Sequence, residues 1–423
     1  MNDLPIVIIG AGPQGLAAAA HLLERGESPL VLEAGPGPAA AVSEWGHVRL
    51  FSGWNELVDA AAARLLAPTG WVQPTTGYPT GEQWIESYLA PLAAALGERV
   101  VYGTRVTGVG RRGEQPFTVH TTDDAGNEAR VDARAVVDAS GTWSQPSPAG
   151  ADGLSALGER AASALVSYRI PDFAHSEPFA GTHTVVVGSG HSATTAVNGL
   201  ARIARHHPGT RVTWVLRRGS IGAAFGGGEA DELPARGALG ARARHAVDAG
   251  EVDLVTGFRV ESLTRTERGV VIGSEDGRTL PAADRVVVLT GFRPDLSFLS
   301  EMRLELDARL QAPVRIAAEV DPNLHSCGTV RATGADDLAQ PETDFYIVGA
   351  KSYGRAPTFL AMTGYEQVRS VAAALVGDHA AAARVELGLP STGVCGGAGA
   401  FDASACCGSS PVAVELGRTP MPA

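Results

Sequence analysis

The strongest chemical signal in the sequence lies at residues 10–15, where GAGPQG places a glycine at the first, third and sixth positions. In such a loop Gly10 permits a tight turn, Gly12 lets the backbone approach a pyrophosphate, and Gly15 allows a helix to pack closely on a strand. The first N–H groups of the helix that follows bind phosphate. Glu33 comes 23 residues after Gly10, where a carboxylate binds a pair of ribose hydroxyls. The spacing predicts a dinucleotide site.

Two strands and a helix must position this loop. The β-branched run at 6–9 predicts a buried parallel strand, residues 16–25 predict a helix, and 30–33 predict a second strand that ends in the acid. Together they form a complete βαβ unit. A glycine-rich strand–helix turn that binds no ligand is the alternative.

A second unit repeats this layout 178 residues later. A strand at 184–187 runs into GSGHSA, in which Gly188, Gly190 and Ser192 are the candidate phosphate-binding residues. The position of the third glycine is occupied by Ala193. The sequence therefore predicts a second dinucleotide site of the same general design.

The acid at the end of the following strand is replaced by Arg217 and Arg218. A carboxylate there would repel a 2′-phosphate, whereas guanidinium groups bind one. This favours NADPH over NADH, although two solvated arginines that accept either cofactor remain the alternative. An acid-ended site and an arginine-ended site in one chain indicate two different dinucleotides. The combination that makes chemical sense is FAD at the first site and NADPH at the second, with hydride passing from the nicotinamide to the flavin.

Composition narrows the class of protein. The net charge of −12 argues against a nucleic-acid partner and an anionic membrane surface. No apolar run approaches the roughly 18 residues of a membrane span, and 423 residues favour two or three domains. Four cysteines do not make a disulfide scaffold. We therefore expect a cytoplasmic protein that acts on a small molecule, with a homodimer left open.

From residue 4 to about 380 the chain resembles the two-dinucleotide-binding flavoproteins, which include thioredoxin reductase-like enzymes and flavin-containing monooxygenases. The segments 139–142 and 289–294 are similar to the crossovers of that family, with Gly291 as a candidate cofactor contact. The strand and turn around Gly349 are similar to the family's flavin-side turn. The resemblance implies an α/β fold of two Rossmann-like dinucleotide-binding domains (FAD and NADPH), the NADPH domain inserted in the FAD domain.

On this basis we expect four segments. They are 1–165 (FAD-binding domain, first part), 166–285 (NADPH-binding domain), 286–385 (FAD-binding domain, second part) and 386–423 (a flexible cysteine-containing tail).

The segment 47–53, together with the proline-led stretch 78–84, resembles the monooxygenase branch of the family. There the equivalent segment passes the isoalloxazine, which makes His47 and Arg49 candidate catalytic residues; a structural histidine is the alternative. The monooxygenase fingerprint FxGxxxHxxx(Y/F) is incomplete, because Arg169 and Pro171 replace its first Phe and Gly. The CxxC or CxxxxC pair of disulfide reductases is also missing, so a standard disulfide reductase is not expected.

Lys351 stands out because the other 33 basic residues are arginines. Codon usage in a GC-rich genome explains the excess of arginine. The single lysine then has two possible interpretations. The resemblance places Lys351 in the turn beside the flavin, where an ammonium stabilises reduced flavin or positions oxygen. It is therefore the leading catalytic candidate, with Tyr353 and Arg355 in the same turn as further candidates for contact with flavin or substrate. A surface lysine without a role is the alternative.

More narrowly, four segments resemble the flavoprotein monooxygenases of actinobacterial arsenic-resistance clusters: 44–52, 225–231, 351–358 and the cysteine-bearing C-terminus. Cys395, Cys406 and Cys407 offer three thiolates, which suit As(III) or another thiophilic ion. Incidental thiols in a disordered terminus are the alternative. Zinc is disfavoured because no CxxC or nearby His completes a tetrahedral set.

These observations lead to one main hypothesis and two alternatives. The first is an FAD- and NADPH-dependent monooxygenase-like enzyme that uses O2 to oxidise a soft nucleophile, with trivalent arsenicals as the expected substrate. The second is an NADPH-dependent thiol or metal reductase that uses the C-terminal cysteines. The third is a metalloid- or redox-sensing flavoprotein that turns over slowly.

Overall fold

The computed structural model describes residues 4–219, 225, 234–321, 330–356 and 359–387. Within these ranges two five-stranded parallel sheets are accompanied by a three-stranded and a two-stranded antiparallel sheet. The strands are β1 (Ile6–Ile9), β2 (Pro29–Leu32), β3 (Val100–Val101), β4 (Thr104–Arg111), β5 (Phe117–Asp123), β6 (Glu128–Ala133), β7 (Ala135–Asp138), β8 (Val166–Ser167), β9 (His183–Val187), β10 (Arg211–Val215), β11 (Asp253–Val255), β12 (Val260–Thr266), β13 (Gly269–Ser274), β14 (Arg285–Val288) and β15 (Phe345–Ile347).

Helices cover the sheets and connect their strands. The α-helices are α1 (Pro13–Glu24), α2 (Ala40–Ser43), α3 (Trp54–Leu57), α4 (Ala60–Leu66), α5 (Gly81–Trp84), α6 (Ala90–Leu96), α7 (His191–His206), α8 (Pro234–Asp248), α9 (Val314–Val320), α10 (Ala335–Leu338), α11 (Ala361–Leu375) and α12 (His379–Ala383). A π-helical turn at Ile85–Leu89 joins α5 to α6, and a 3-10 turn, Gly349–Tyr353, follows β15. Among the described residues no helix is both long and apolar enough to cross a bilayer.

The first parallel sheet has the strand order β15-β7-β1-β2-β3. Its central strand β1 is buried on both faces, because Ile6, Val7, Ile8 and Ile9 are at most 5% exposed. Such β-branched runs suit a parallel sheet covered by helices on both sides. Helix α1 connects β1 to β2 and packs against α11, so the C-terminal part of the chain closes one face of the sheet.

The second parallel sheet has the order β11-β10-β9-β14-β8. All of its strands lie between β7 and β15 in the sequence, so the second sheet is inserted into the first. This arrangement confirms the predicted fold class. The strand β14 belongs to the second sheet and continues to Val288, three residues beyond the position at which we place the end of the inserted domain from the sequence. The four segment boundaries stay a prediction.

The chain passes between the two sheets twice, and the two crossovers lie side by side. The Ser147 N–H donates to Gly291 O at 2.9 Å, and the Arg293 N–H donates to Gln145 O at 2.8 Å. The indole of Trp143 stacks on Phe292 with ring centroids 4.8 Å apart. Paired in this way, the crossovers brace each other where the chain leaves and re-enters the first sheet.

One buried ion pair joins the end of β7 to the turn after β15. Lys351 Nζ donates to Asp138 Oδ2 at 2.6 Å and to Ser140 Oγ at 3.1 Å, and it lies 4.3 Å from the ring centroid of Phe298. Both charged side chains are fully buried. Asp138 Oδ1 in turn accepts the N–H and the hydroxyl of Ser140. The contacts account for the polar atoms of both charged groups, as a buried pair requires.

Replacing Lys351 by Met should lower the free energy of unfolding by about 3–5 kcal/mol, because Asp138 would keep a buried charge without its partner. The double variant Asp138→Asn/Lys351→Met should recover part of the loss, since the amide still accepts from Ser140 and no charge remains buried. Urea unfolding of the wild type and both variants measures the difference.

The matched control is the exposed pair Arg64–Glu24, where Arg64→Met should cost no more than about 1 kcal/mol. Equal losses for Arg64→Met and Lys351→Met would contradict the role assigned to the buried pair.

Candidate functional site: two dinucleotide loops

The first glycine-rich loop has the geometry that its sequence predicts. Gly10 has a φ of 100°, a value that L side chains rarely adopt. A Cβ on Gly15 would lie 1.9 Å from Gly10 O, so only glycine lets α1 pack on the turn. A Cβ on Gly12 would have no atom within 4 Å. Because Gly12 lines a cavity, this free space is where a pyrophosphate would approach the backbone.

Glu33 lies at the end of β2 on the wall of the same cavity. Its Oε2 accepts the N–H of Ala11 at 2.6 Å and its Oε1 accepts the N–H of Gly35 at 2.8 Å. These bonds tie the acid to the glycine loop and fix its orientation. Each oxygen keeps a lone pair, so the carboxylate can also bind ribose hydroxyls.

The cavity has a volume of about 760 Å³ and extends from the first loop along the crossovers to Gly349. Its wall combines backbone from the loop and the strand ends with aromatic side chains. The aromatic residues are Trp45, Phe51, Trp84, Trp143, Phe298 and Phe359. An elongated cavity with phosphate-binding backbone at one part and aromatic side chains elsewhere fits the chemistry of FAD.

Gln14 is a cavity residue that the sequence reasoning missed. Its side chain passes between Gly349 and Gly364, whose Cβ atoms would lie 2.9 Å from Cγ and 2.4 Å from Cδ of Gln14. Its Nε2 donates to Ala361 O at 3.2 Å, while its buried Oε1 has no partner. Two distant glycines thus make room for one amide. No local pattern at 10–15 reveals that requirement.

Gly349 and Lys351 lie in the turn after β15. Gly349 has a φ of 70°, lines the cavity, and donates its N–H to Gln367 Oε1 at 2.8 Å. Lys351 is not one of the described lining residues, because its ammonium points to Asp138 and Ser140 behind the wall. Ser140 and Phe298, which Lys351 contacts, do line the cavity. Lys351 therefore supports the cavity wall through its contacts with Ser140 and Phe298.

His47 and Arg49 point away from this cavity. The ring of His47 is exposed and its Nε2 lies 3.1 Å from Ile170 O, while Arg49 is exposed and donates to Tyr78 O. The same segment does reach the cavity, but through Leu50 and Phe51. The sequence resemblance thus locates the segment, whereas the turns and bends of its backbone decide which side chains line the cavity.

The second glycine-rich loop repeats the main features of the first. Gly188 has a φ of 139°, and its Cβ would lie 2.2 Å from Leu289 O. Gly190 precedes α7, and its Cβ would have no atom within 4 Å. Ser192 is half-buried in the first turn of α7. The free space at Gly190 and the helix N-terminus give this loop the features of a phosphate site.

Arg217 and Arg218 follow β10, which pairs in parallel with β9 directly before the second loop. They line a second cavity of about 740 Å³ that also contains Arg259. Burial, and next the charge of Arg217, lower the pKa of Arg218. Arg217 Nη1 donates to Ala151 O at 2.9 Å, and Arg259 lies 3.7 Å from Glu275. Three guanidinium groups therefore line this cavity, together with the carboxylates of Glu275 and Asp276.

A contact between aromatic rings joins the wall of the first cavity to the helix that follows the second loop. Phe51, on the wall of the first cavity, lies 5.4 Å from the ring of His191 in the first turn of α7. Nearby, Arg169 donates to Trp143 O at 2.7 Å and lies 3.5 Å from Glu44. Gly291, in the second crossover, has a φ of 98°. The contacts place the two candidate dinucleotide sites next to each other.

The predictions about the cysteines concern residues that the structure does not describe. Cys327, Cys395, Cys406 and Cys407 lie outside the described residues. Within the described ranges no group of three or more His, Cys, Asp or Glu side chains is arranged to hold a metal ion. The proposed As(III) ligands stay a prediction.

Exchanging single glycines of the first loop should separate folding from cofactor binding. Gly15→Ala should destabilise the protein, because the new Cβ would meet Gly10 O at 1.9 Å. Gly12→Ala should leave the melting temperature of the cofactor-free protein unchanged and weaken FAD binding at least tenfold, since the methyl group enters the free space beside the cavity. Thermal unfolding and FAD fluorescence titration measure the two effects. Unchanged FAD affinity of Gly12→Ala would contradict this assignment.

Comparison with solved structures supports this fold. The bacillithiol disulfide reductase Bdr (YpdA) from Bacillus cereus is 22% identical with a TM-score of 0.69, over 88% of this chain and 99% of that one. Thioredoxin reductase from T. acidophilum is 16% identical with a TM-score of 0.57, over 89% and 99%. A flavin-containing monooxygenase from Stenotrophomonas maltophilia is 22% identical with a TM-score of 0.54, over 89% and 99%.

The family comparison is more specific. No curated protein matches the sequence significantly. The family model for pyridine nucleotide-disulphide oxidoreductases matches residues 7–319, which include both glycine-rich loops and both crossovers. This match confirms the predictions of an enzyme and of its two kinds of cofactor. The chain belongs to the pyridine nucleotide-disulphide oxidoreductase family and is an FAD-dependent oxidoreductase that uses a pyridine nucleotide.

Proposed function

We propose that the protein is an NADPH-dependent, monooxygenase-like flavoenzyme that oxidises a soft nucleophile, with trivalent arsenicals as the substrate class. The observation that supports it best is the pairing of two unlike sites, one ended by Glu33 and one by Arg217 and Arg218, across the contact between Phe51 and His191. An enzyme that takes electrons from one dinucleotide to the other needs this proximity.

The arginine-lined cavity supports NADPH as the electron donor. It lies beyond the end of β10, on the side of the second loop where the adenosine ribose of a bound dinucleotide is held. Arg217 and Arg218 would hold the 2′-phosphate, because a guanidinium group donates two parallel hydrogen bonds to it. NADH offers a hydroxyl at that position and gains less from two positive charges.

The first cavity supports FAD. Gly12 and the N-terminus of α1 would hold the pyrophosphate, Glu33 the adenosine ribose, and Gly349 would lie beside the ring system. Bound FAD supplies two-electron redox chemistry between the nicotinamide and the acceptor. Lys351 serves as a positioning residue for Ser140 and Phe298, while the aromatic wall excludes water from the site.

Use of O2 and transfer of oxygen to arsenic are supported by sequence resemblance. The segment that reaches the cavity through Leu50 and Phe51 is the one that resembles the monooxygenase branch. Trivalent arsenic is a soft nucleophile with a lone pair, and the vicinal thiols of Cys406 and Cys407 suit its capture. These thiols would hold or deliver the substrate.

A reductase is the second candidate, and the family match favours it. The family includes disulphide oxidoreductases by description, and Cys406 and Cys407 form the adjacent pair that a thiol or metal reductase would use. In this case electrons pass from the flavin to the thiols, and O2 has no role.

The double variant Arg217→Ala/Arg218→Ala should raise the KM for NADPH by roughly 100- to 10,000-fold and leave the KM for NADH within about twofold. The physical reason is that each charge-assisted hydrogen bond to the phosphate contributes roughly 1.5–3 kcal/mol. Steady-state kinetics with both cofactors provide the measurement, and Arg268→Ala, an exposed arginine after β12, is the matched control. An equal rise for NADH and NADPH would rule out a 2′-phosphate contact.

Methylarsenite or arsenite should increase NADPH consumption by the FAD-loaded enzyme, with equal molar uptake of O2, because oxygen transfer uses one O2 for each NADPH. An oxygen electrode and absorbance at the NADPH band follow both reactants. NADPH turnover that ignores every arsenical would exclude the substrate. The reductase candidate instead requires anaerobic turnover that Cys406→Ser/Cys407→Ser abolishes.

A further inference from the structure

Two arginines from different parts of the chain converge on the loop at 150–154. A Cβ built on Gly153 would lie 3.2 Å from Nη2 of Arg293 and 3.5 Å from Nη2 of Arg355. Arg293 belongs to the second crossover, and Arg355 follows the turn that contains Lys351. The two guanidinium groups therefore flank the same point, although like charges repel at this distance.

Neither arginine has a carboxylate within 4.0 Å in the part of the chain that the structure describes. Arg293 Nη2 donates to Gly153 O, and its buried Nε has no hydrogen-bond partner. Arg355 Nη1 makes a long contact, 3.4 Å, with Arg309 O. By contrast, the side chain of Arg309 itself pairs with Asp321 at 3.3 Å.

The acids closest in sequence are engaged elsewhere. Asp152, in the same loop, accepts the N–H of Leu154 at 2.8 Å, and Asp295 accepts the N–H and the hydroxyl of Ser297. Burial, followed by the charge of Arg355, lowers the pKa of Arg293. Both carboxylates are thus held by hydrogen bonds within their own turns.

We propose that Arg293, Arg355 and the loop at 150–154 form a binding site for a tetrahedral oxyanion of the phosphate class. Two guanidinium groups match the charge of a dianion, and their fork geometry suits its oxygens. The same chemistry is offered by an inorganic oxyanion and by a phosphate group of a nucleotide. The loop also borders the cavity of Arg217 and Arg218, because Arg217 Nη1 donates to Ala151 O, whereas Arg293 and Arg355 are not among the described residues that line that cavity.

The position of the site gives the bound anion a structural consequence. Arg355 belongs to the half of the chain that carries the first sheet, Arg293 lies in a crossover, and the loop at 150–154 leads into the second sheet. The neighbour of Arg293, Phe292, stacks on Trp143, which lines the first cavity. An oxyanion here would connect the two halves beside that cavity.

Calorimetric titration of the FAD-loaded full chain with inorganic phosphate, at constant ionic strength, tests this site. We expect saturable binding that Arg293→Gln and Arg355→Gln each weaken at least tenfold. Arg265→Gln, an exposed arginine on β12, is the matched control and should leave the affinity unchanged. Because Arg355 is exposed, its variant should fold even if the Arg293 variant does not.

The variant Arg217→Gln/Arg218→Gln distinguishes this site from the 2′-phosphate cavity and should still bind phosphate. A repeat with saturating NADP+ separates the two sources of the anion. Phosphate binding that persists assigns the site to inorganic oxyanions, and competition assigns it to a nucleotide phosphate. No heat of binding, or a loss confined to the Arg217/Arg218 variant, would overturn the proposal. None of these results depends on the proposed substrate.

Discussion

Two opposite charges, on Asp138 and Lys351, meet at 2.6 Å in a region that water does not reach. Their attraction offsets the free energy of removing both charges from water only if the two groups keep a good geometry. The hydrogen bond from Lys351 to Ser140 and the contact with the Phe298 ring hold the ammonium in that geometry. The pair joins the end of β7 to the turn after β15, strands that are neighbours in the first sheet. One wall of the cavity therefore depends on contacts between residues 213 positions apart in sequence.

This long-range contact matters because, along the sequence, the strands of the second sheet lie between β7 and β15. Any movement of the inserted sheet acts on the first through two crossovers, and these are hydrogen-bonded to each other at Ser147–Gly291 and Gln145–Arg293. The buried pair and the paired crossovers together hold the first cavity in shape. The two loops share their open position, since a Cβ on Gly12 or on Gly190 would meet no atom of the described residues within 4 Å.

The sequence predicts those features whose causes are local. The glycine spacing at 10–15 and 188–193, the β-branched strands before each loop and the acid at 33 are sufficient to predict two dinucleotide units. Contacts between distant residues leave no such pattern. Nothing around Lys351 reveals that Asp138 is its partner, and nothing around Gln14 reveals that Gly364 makes room for it. The segment at 47–53 lines the cavity through Leu50, Phe51 and Ser52, whereas the predicted candidates His47 and Arg49 are not among the described lining residues.

Composition does not distinguish arginines that pair with carboxylates from arginines that do not. With 33 arginines and one lysine, the basic residues look alike, and codon usage explains the excess. In the described structure many arginines pair with carboxylates, as Arg331 does with Asp337 at 2.6 Å. Such arginines are satisfied within the fold. Among the described residues Arg293 and Arg355 have no carboxylate within 4.0 Å, and both approach Gly153, so their charges repel without a neighbouring acid to offset them. It is the arrangement of charge, which composition does not show, that distinguishes these two arginines from the paired ones.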